Sequence, residues 1–102
     1  MGLVDKQNKF SGMVALLVLY AQSLGYQITF GDAFRDTRVT YGHPRSTHRF
    51  RLAIDLNLFK NGEYIHSDDD HAPLHDYWDK LGGAKRIKGD ANHYSCEHEG
   101  VR

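Results

Sequence analysis

A chain of 102 residues can hold one domain with a modest core, and is too short for a catalytic domain joined to a separate targeting domain. Thirteen Lys and Arg balance thirteen Asp and Glu, which removes the basic excess that supports nucleic-acid binding, and the single Cys96 excludes both an internal disulfide and a thiolate zinc cluster. Seven histidines are many for this length, so any metal would rest on imidazole and carboxylate ligands.

Lys6 and Lys9 precede the apolar run Met13 to Ala21, which imitates the hydrophobic region of a signal peptide but is too short to span a membrane. Phe10, Val14, Leu17, Val18, Ala21 and Leu24 recur at helical spacing, so the period predicts a buried amphipathic helix, capped by Ser11 and ended by Gly25. No cleavable signal peptide is expected. The Met-Gly start lacks the Ser or Thr that myristoylation requires.

Tyr26-Gln27-Ile28-Thr29-Phe30 alternates as a strand does, and Gly31-Asp32 ends it. From Ala33 to Thr47 no period is sustained, and Gly42 and Pro44 mark a long loop of the kind that often carries function. Leu52, Ile54, Leu56 and Leu58 alternate with Ala53, Asp55 and Asn57, which predicts a strand with one core face and Asp55 on the other. Asn61-Gly62 is a strong hairpin signal, returning through Tyr64 and Ile65.

Ser67-Asp68-Asp69-Asp70 is expected to open a second helix, where acids offset the dipole; it lacks the ligand spacing and glycine of a calcium loop. Pro73 suits the first turn, Leu74, Tyr77, Trp78 and Leu81 form an apolar stripe, and Gly82-Gly83 closes the helix. After a basic, irregular stretch, Asn92 to Ser95 predicts a last strand. A polar tail follows, expected to be solvated and without fixed structure from about residue 96.

The chemistry concentrates in Ser46 to Asp55. On one straight strand His48 and Asp55 would lie roughly 23 Å apart on opposite faces. On one helix they would still be about 10 Å apart along the axis, too far for two ligands each about 2 Å from a zinc ion. A shared ion therefore requires a bend between them.

Three groupings could bind a metal. The first is His48, Asp55 and His93, with Asp90 three residues before His93. The second is His71 and His75, four apart on one helix face, although Ala72 and Pro73 leave no room for the Glu of the helical His-Glu-x-x-His pattern, and a surface pair at an acidic helix start is the simpler reading. The third is His98 with Glu97 and Glu99 in the tail.

The motifs Ser46-x-His48, Ala53-x-Asp55 and Asp90-x-x-His93 resemble those of the zinc D-alanyl-D-alanine carboxypeptidase and L-alanyl-D-glutamate endopeptidase family, which includes small phage endolysins and shares its fold with the Hedgehog signalling domain. Phe34-Arg35-Asp36-Thr37 is similar to the family's segment upstream of the first ligand, and Trp78 with Leu81-Gly82-Gly83 precedes the final motif, so the resemblance spans about Phe10 to Tyr94.

The resemblance implies one zinc ion held by His48, Asp55 and His93, Asp90 as general base, and Arg35 binding a substrate carbonyl oxygen or carboxylate. Arg35 could equally form an ion pair with a nearby Asp, and Ser46 could orient His48 from behind or only cap a turn. Three features depart from the family: Arg51 stands where a glycine is usual three residues after the first histidine, the glutamine downstream of the upstream arginine has no clear counterpart, and Ser95 stands after Tyr94 where an acidic or amide residue often follows. If the bend needs a positive φ, Arg51 costs roughly 1 to 2 kcal/mol there.

The expectation is thus a single α+β domain over residues 1–102, a small antiparallel sheet flanked by helices in a Hedgehog/DD-peptidase-like arrangement. Its expected role is that of a monomeric zinc metallopeptidase, a hydrolase of the peptidoglycan stem peptide that degrades cell wall as an endolysin does. The L-alanyl-D-glutamate bond is the favoured target. A D,D-carboxypeptidase or dipeptidase, or a catalytically silent zinc-binding module, are the alternatives. Such a bacteriolytic protein would accumulate in the host cytoplasm and reach the periplasm and wall during host cell lysis. Neither nucleic acid nor stable membrane insertion is expected among its partners.

Overall fold

The computed structural model describes residues 2–36, 38 and 46–102. Thr37, Gly42 and Pro44, on which parts of the loop and motif reading fall, lie outside them. The described residues form two α-helices and a small antiparallel sheet, in the order α1 (Leu3–Ser23), β1 (Gln27–Phe30), a 3-10 turn (Thr47–Phe50), β2 (Ala53–Lys60), β3 (Glu63–Tyr64), α2 (Asp68–Lys80) and β4 (His93–Ser95).

Helix α1 buries Phe10, Val14, Leu17 and Ala21 of the predicted stripe and adds Met13, whereas Val18 is only partly buried and Leu24, past the end of the helix, is exposed. Its start differs. Gly2 occupies the N-cap, and Ser11 lies within the helix with its hydroxyl donating to Asn8 O, so it caps nothing. The first two turns escaped the period because Leu3 and Val4 face solvent and Asp5 to Lys9 are polar. Gly25 does end the helix, in the left-handed region at φ 94°. No helix among the described residues is long and apolar enough to cross a membrane.

Strand β2 organises the sheet, because each other strand pairs with it. β1 pairs antiparallel along one edge, from Gln27 opposite Phe59 to Phe30 opposite Leu56. On the other edge β3 pairs at Phe59 and Lys60, and β4 places Ser95, Tyr94 and His93 opposite Ala53, Ile54 and Asp55. The hairpin between β2 and β3 turns at Asn61 and Gly62, both with positive φ, as a two-residue primed turn demands.

The predicted alternation in β2 holds. Leu52, Ile54, Leu56 and Leu58 enter one core cluster with the α1 stripe, Leu74 and Trp78 of α2, and Tyr94. Asp55 and His93 therefore share the face turned away from that cluster.

Ser67 caps α2 by accepting from Asp69 N, and three acids fill the first turn as expected. Pro73 sits deeper than the first turn, because the helix begins at Asp68. Gly82 takes the left-handed closing position at φ 93°. Gly83 packs against Trp78 so closely that a Cβ there would lie 2.0 Å from the indole nitrogen, which instead donates to Ser95 O. The tail, expected to be solvated, turns back on itself through reciprocal backbone bonds between His98 and Val101. The His98 ring lies 4.6 Å from that of Phe50.

Candidate metal centre

Two different pieces of local structure bring the first grouping together. Asp55 and His93 are cross-strand partners. The backbone of Asp55 bonds toward the β1 side, accepting from Gly31 N and donating to Asp32 O, so Asp55 faces His93 across a pair without hydrogen bonds, where side chains come closest. Register alone thus joins residues far apart in sequence.

His48 arrives by a bend. Ser46 caps the 3-10 turn, its hydroxyl accepting from His48 N at 3.3 Å, and Arg51 ends it with φ 56° and ψ 37°. The required bend is made where the sequence places it, and an arginine makes it in the left-handed region. The Arg51 guanidinium lies 4.1 Å from the centre of the Phe34 ring, a cation–π contact worth roughly 0.5 to 1 kcal/mol against that strain. Of the two readings of Ser46, the hydrogen bond seen is the turn cap.

The donor atoms converge. His48 Nε2 lies 3.2 Å from Asp55 Oδ1 and 3.2 Å from His93 Nδ1, and His93 Nδ1 lies 3.6 Å from Asp55 Oδ1. Ligands at about 2.0 to 2.1 Å in a tetrahedron stand about 3.3 to 3.4 Å from one another. These separations fit three corners of such a shell. Both imidazoles are buried, at 2 % and 4 % exposure, and Asp55 Oδ1 is buried without an aligned hydrogen bond among the described residues. A carboxylate oxygen and two ring nitrogens facing one another in a buried space form a donor set suited to a cation. Burial alone would raise the Asp55 carboxyl, but His48 and His93 outweigh it and hold it at about 2. The trio is the one possible metal-binding group among the described residues.

The trio opens onto a cleft of about 590 Å³, which Arg35, Asp90, Ile87 and Val101 also line. Asp90 stands beside the trio, with Oδ2 3.8 Å from His93 Nδ1 and half of its side chain exposed. Its carbonyl accepts from His93 N, so one short turn carries both residues. Arg35 is tied to the 3-10 turn by donating from its backbone N to His48 O, and its side chain, 10 % exposed, lies 3.6 Å from Asp32. Arg35 thus lines the cleft with an aspartate, Asp32, within ion-pair distance. The tail's share of the cleft wall, Gly100 to Arg102, was missed; the one signal was Glu99-Gly100, a turn dipeptide now seen with both φ positive.

The other groupings do not form. His71 and His75 are buried, not a surface pair, at 5 % and 3 % exposure. His71 Nδ1 bonds the Tyr94 hydroxyl at 2.7 Å, and His75 Nε2 lies 2.6 Å from Ala91 O. Burial, then the neighbouring His75, pushes His71 down to about 4; burial also lowers His75. His98 contacts Phe50 and Lys6. In comparisons with known proteins, no family model, curated protein or solved structure matched the chain.

Proposed function

We propose that the chain is a zinc-dependent peptidoglycan peptidase of the Hedgehog/DD-peptidase-like fold, cleaving the L-alanyl-D-glutamate bond of the stem peptide during phage-type host lysis. The observation that carries this reading is a half-exposed carboxylate, Asp90, 3.8 Å from a ligand nitrogen in a cleft whose floor is two imidazoles and a carboxylate. A module that only binds zinc has no use for that carboxylate.

His48, Asp55 and His93 would hold the ion, which when bound supplies Lewis acidity toward water and an amide carbonyl. Asp90 then takes the proton of the attacking water and returns it to the leaving amine, a task its exposure to the cleft permits. Arg35, fixed at the cleft wall, opposes the negative charge growing on the carbonyl oxygen. Two imidazoles and one carboxylate would leave the bound ion with net positive charge.

Digestion of purified sacculi followed by mass spectrometry tests the reading. New amino termini on D-glutamate are the expected product. Loss of terminal D-alanine would redirect it to a D,D-carboxypeptidase, and unchanged sacculi with bound zinc would make it a silent binding module.

A further inference from the structure

Helix α2 reaches the segment that carries Asp90 and His93 through His75, which is not one of the converging donors. His75 is 3 % exposed, and its Nε2 stands 2.6 Å from the carbonyl oxygen of Ala91. A carbonyl can only accept, so Nε2 carries the proton and the tautomer is fixed. The ring lies flat on Tyr94, with centroids 4.2 Å apart and planes 14° from parallel, and the Tyr94 hydroxyl is itself bonded to His71. Stacking on one side and the hydrogen bond at its edge leave the imidazole a single position.

Ala91 lies in the turn between Asp90 and His93. That turn is joined to its surroundings by few other bonds: Asp90 N donates to Ile87 O, Leu56 N donates to Asn92 O, and Asn92 Nδ2 reaches Asn57 Oδ1 at 3.3 Å. The His75 bond is the shortest of them. A rotation of this segment would turn His93 Nδ1 away from His48 and Asp55 and swing the Asp90 carboxylate out of the cleft together.

We propose that His75 is a positioning residue: by holding the Ala91 carbonyl it fixes the Asp90–His93 turn, so that the last ligand and the base face the same cleft. The proposal rests on the metal-site reading above, and places the helical His71/His75 pair behind that site.

Two measurements on the full chain test it, with His75→Leu, His75→Gln and His71→Leu as variants. Glutamine presents an N–H near the position of Nε2 and can keep the bond, whereas leucine cannot. His71→Leu removes an equally buried histidine from the same helix and reports general destabilisation. In metal-free protein, the amides of Leu56 and His93 should exchange at least about tenfold faster in His75→Leu than in His71→Leu, and return toward wild type in His75→Gln. In a cobalt(II) titration followed by the visible band of a tetrahedral site, His75→Leu should bind about tenfold more weakly, with His75→Gln and His71→Leu close to wild type.

Equal exchange in His75→Leu and His71→Leu overturns the proposal, as does unchanged cobalt affinity in His75→Leu. A wild-type chain without a cobalt band overturns the metal reading instead, and the exchange rates still decide whether His75 holds the turn.

Discussion

Among the described residues two pairs of histidines are buried, and they differ in what their nitrogens face. In His48 and His93 two ring nitrogens stand 3.2 Å apart beside the Asp55 carboxylate, and the space between them opens to a cleft. In His71 and His75 the ring centres are 6.4 Å apart, Tyr94 packs against both, and each ring is bonded to its own partner. Helical spacing of four sets two imidazoles on one face, yet here it aims them at different neighbours. A strand register and a bend between distant segments achieve the convergence. Burial of histidine is common to both pairs; a shared focus for unfilled donor atoms belongs to one.

The largest expected break in this contrast comes from removing a converging donor. His48→Ala or Asp55→Ala should weaken zinc binding by more than about 100-fold, since even partners behind a ligand cost 10- to 100-fold. Equilibrium dialysis with metal analysis checks this, and His71→Ala should leave about one zinc per chain. Next, Asp90→Ala should retain zinc but lower sacculus cleavage by about 100- to 10,000-fold, the usual range for a general base. Equal cleavage by wild type and variant would remove Asp90 from the mechanism.

Acid should destabilise the fold through the sealed pair. The folded-state pKa of His71 is lowered to about 4 and that of His75 is lowered too, from an ordinary 6.5, so the unfolded chain takes up protons first as pH falls. Their contribution is complete above pH 6.5 and declines toward pH 4, a loss of about 1 to 3 kcal/mol in urea melts. Asp55, lowered from 3.8 to about 2, adds its loss only below that window in metal-free protein. A melt that stays flat from pH 7 to 4.5 would contradict the assignment of a neutral, buried His71.

The smallest effect concerns the bend. Arg51→Gly removes the left-handed strain along with the contact to Phe34, whereas Arg51→Ala keeps the strain and loses the contact. Glycine should therefore be the better replacement by about 1 kcal/mol. Thermal melts of the two variants give the order directly, and an alanine variant as stable as the glycine one would mean the strain is negligible.

Features set by neighbours along the chain were legible from the residues. Most of the α1 stripe, the β2 alternation, the Asn61-Gly62 turn and the acidic helix start at Ser67 to Asp70 each depend on contacts within a few positions, and each appears in the fold. The need for a bend between His48 and Asp55 followed from distance alone, and Arg51 supplies it. The pairing of β4 with β2 was not derivable from pattern, since a three-residue strand carries no period that names its partner. His71 and His75 were misjudged for a related reason. Their acidic neighbours gave the helix start a solvated character, while the aromatic that covers them, Tyr94, comes from the far side of the sequence.

The 3-10 turn and the loop after β1 are joined at two successive residues. Phe34 lies against the Arg51 guanidinium, and Arg35 donates its backbone N–H to His48 O. His48, a candidate metal ligand, and Arg35, a cation on the cleft wall, thus belong to one mechanical unit. In thermodynamic terms this is linkage: an anion that settles against Arg35 and tightens the unit should raise affinity for the ion, and the ion should raise affinity for the anion by the same factor. Acetate or a D-glutamyl peptide added during a zinc titration would expose that reciprocity without any bond being cleaved. The conformational order of one strained arginine then becomes common to two binding events.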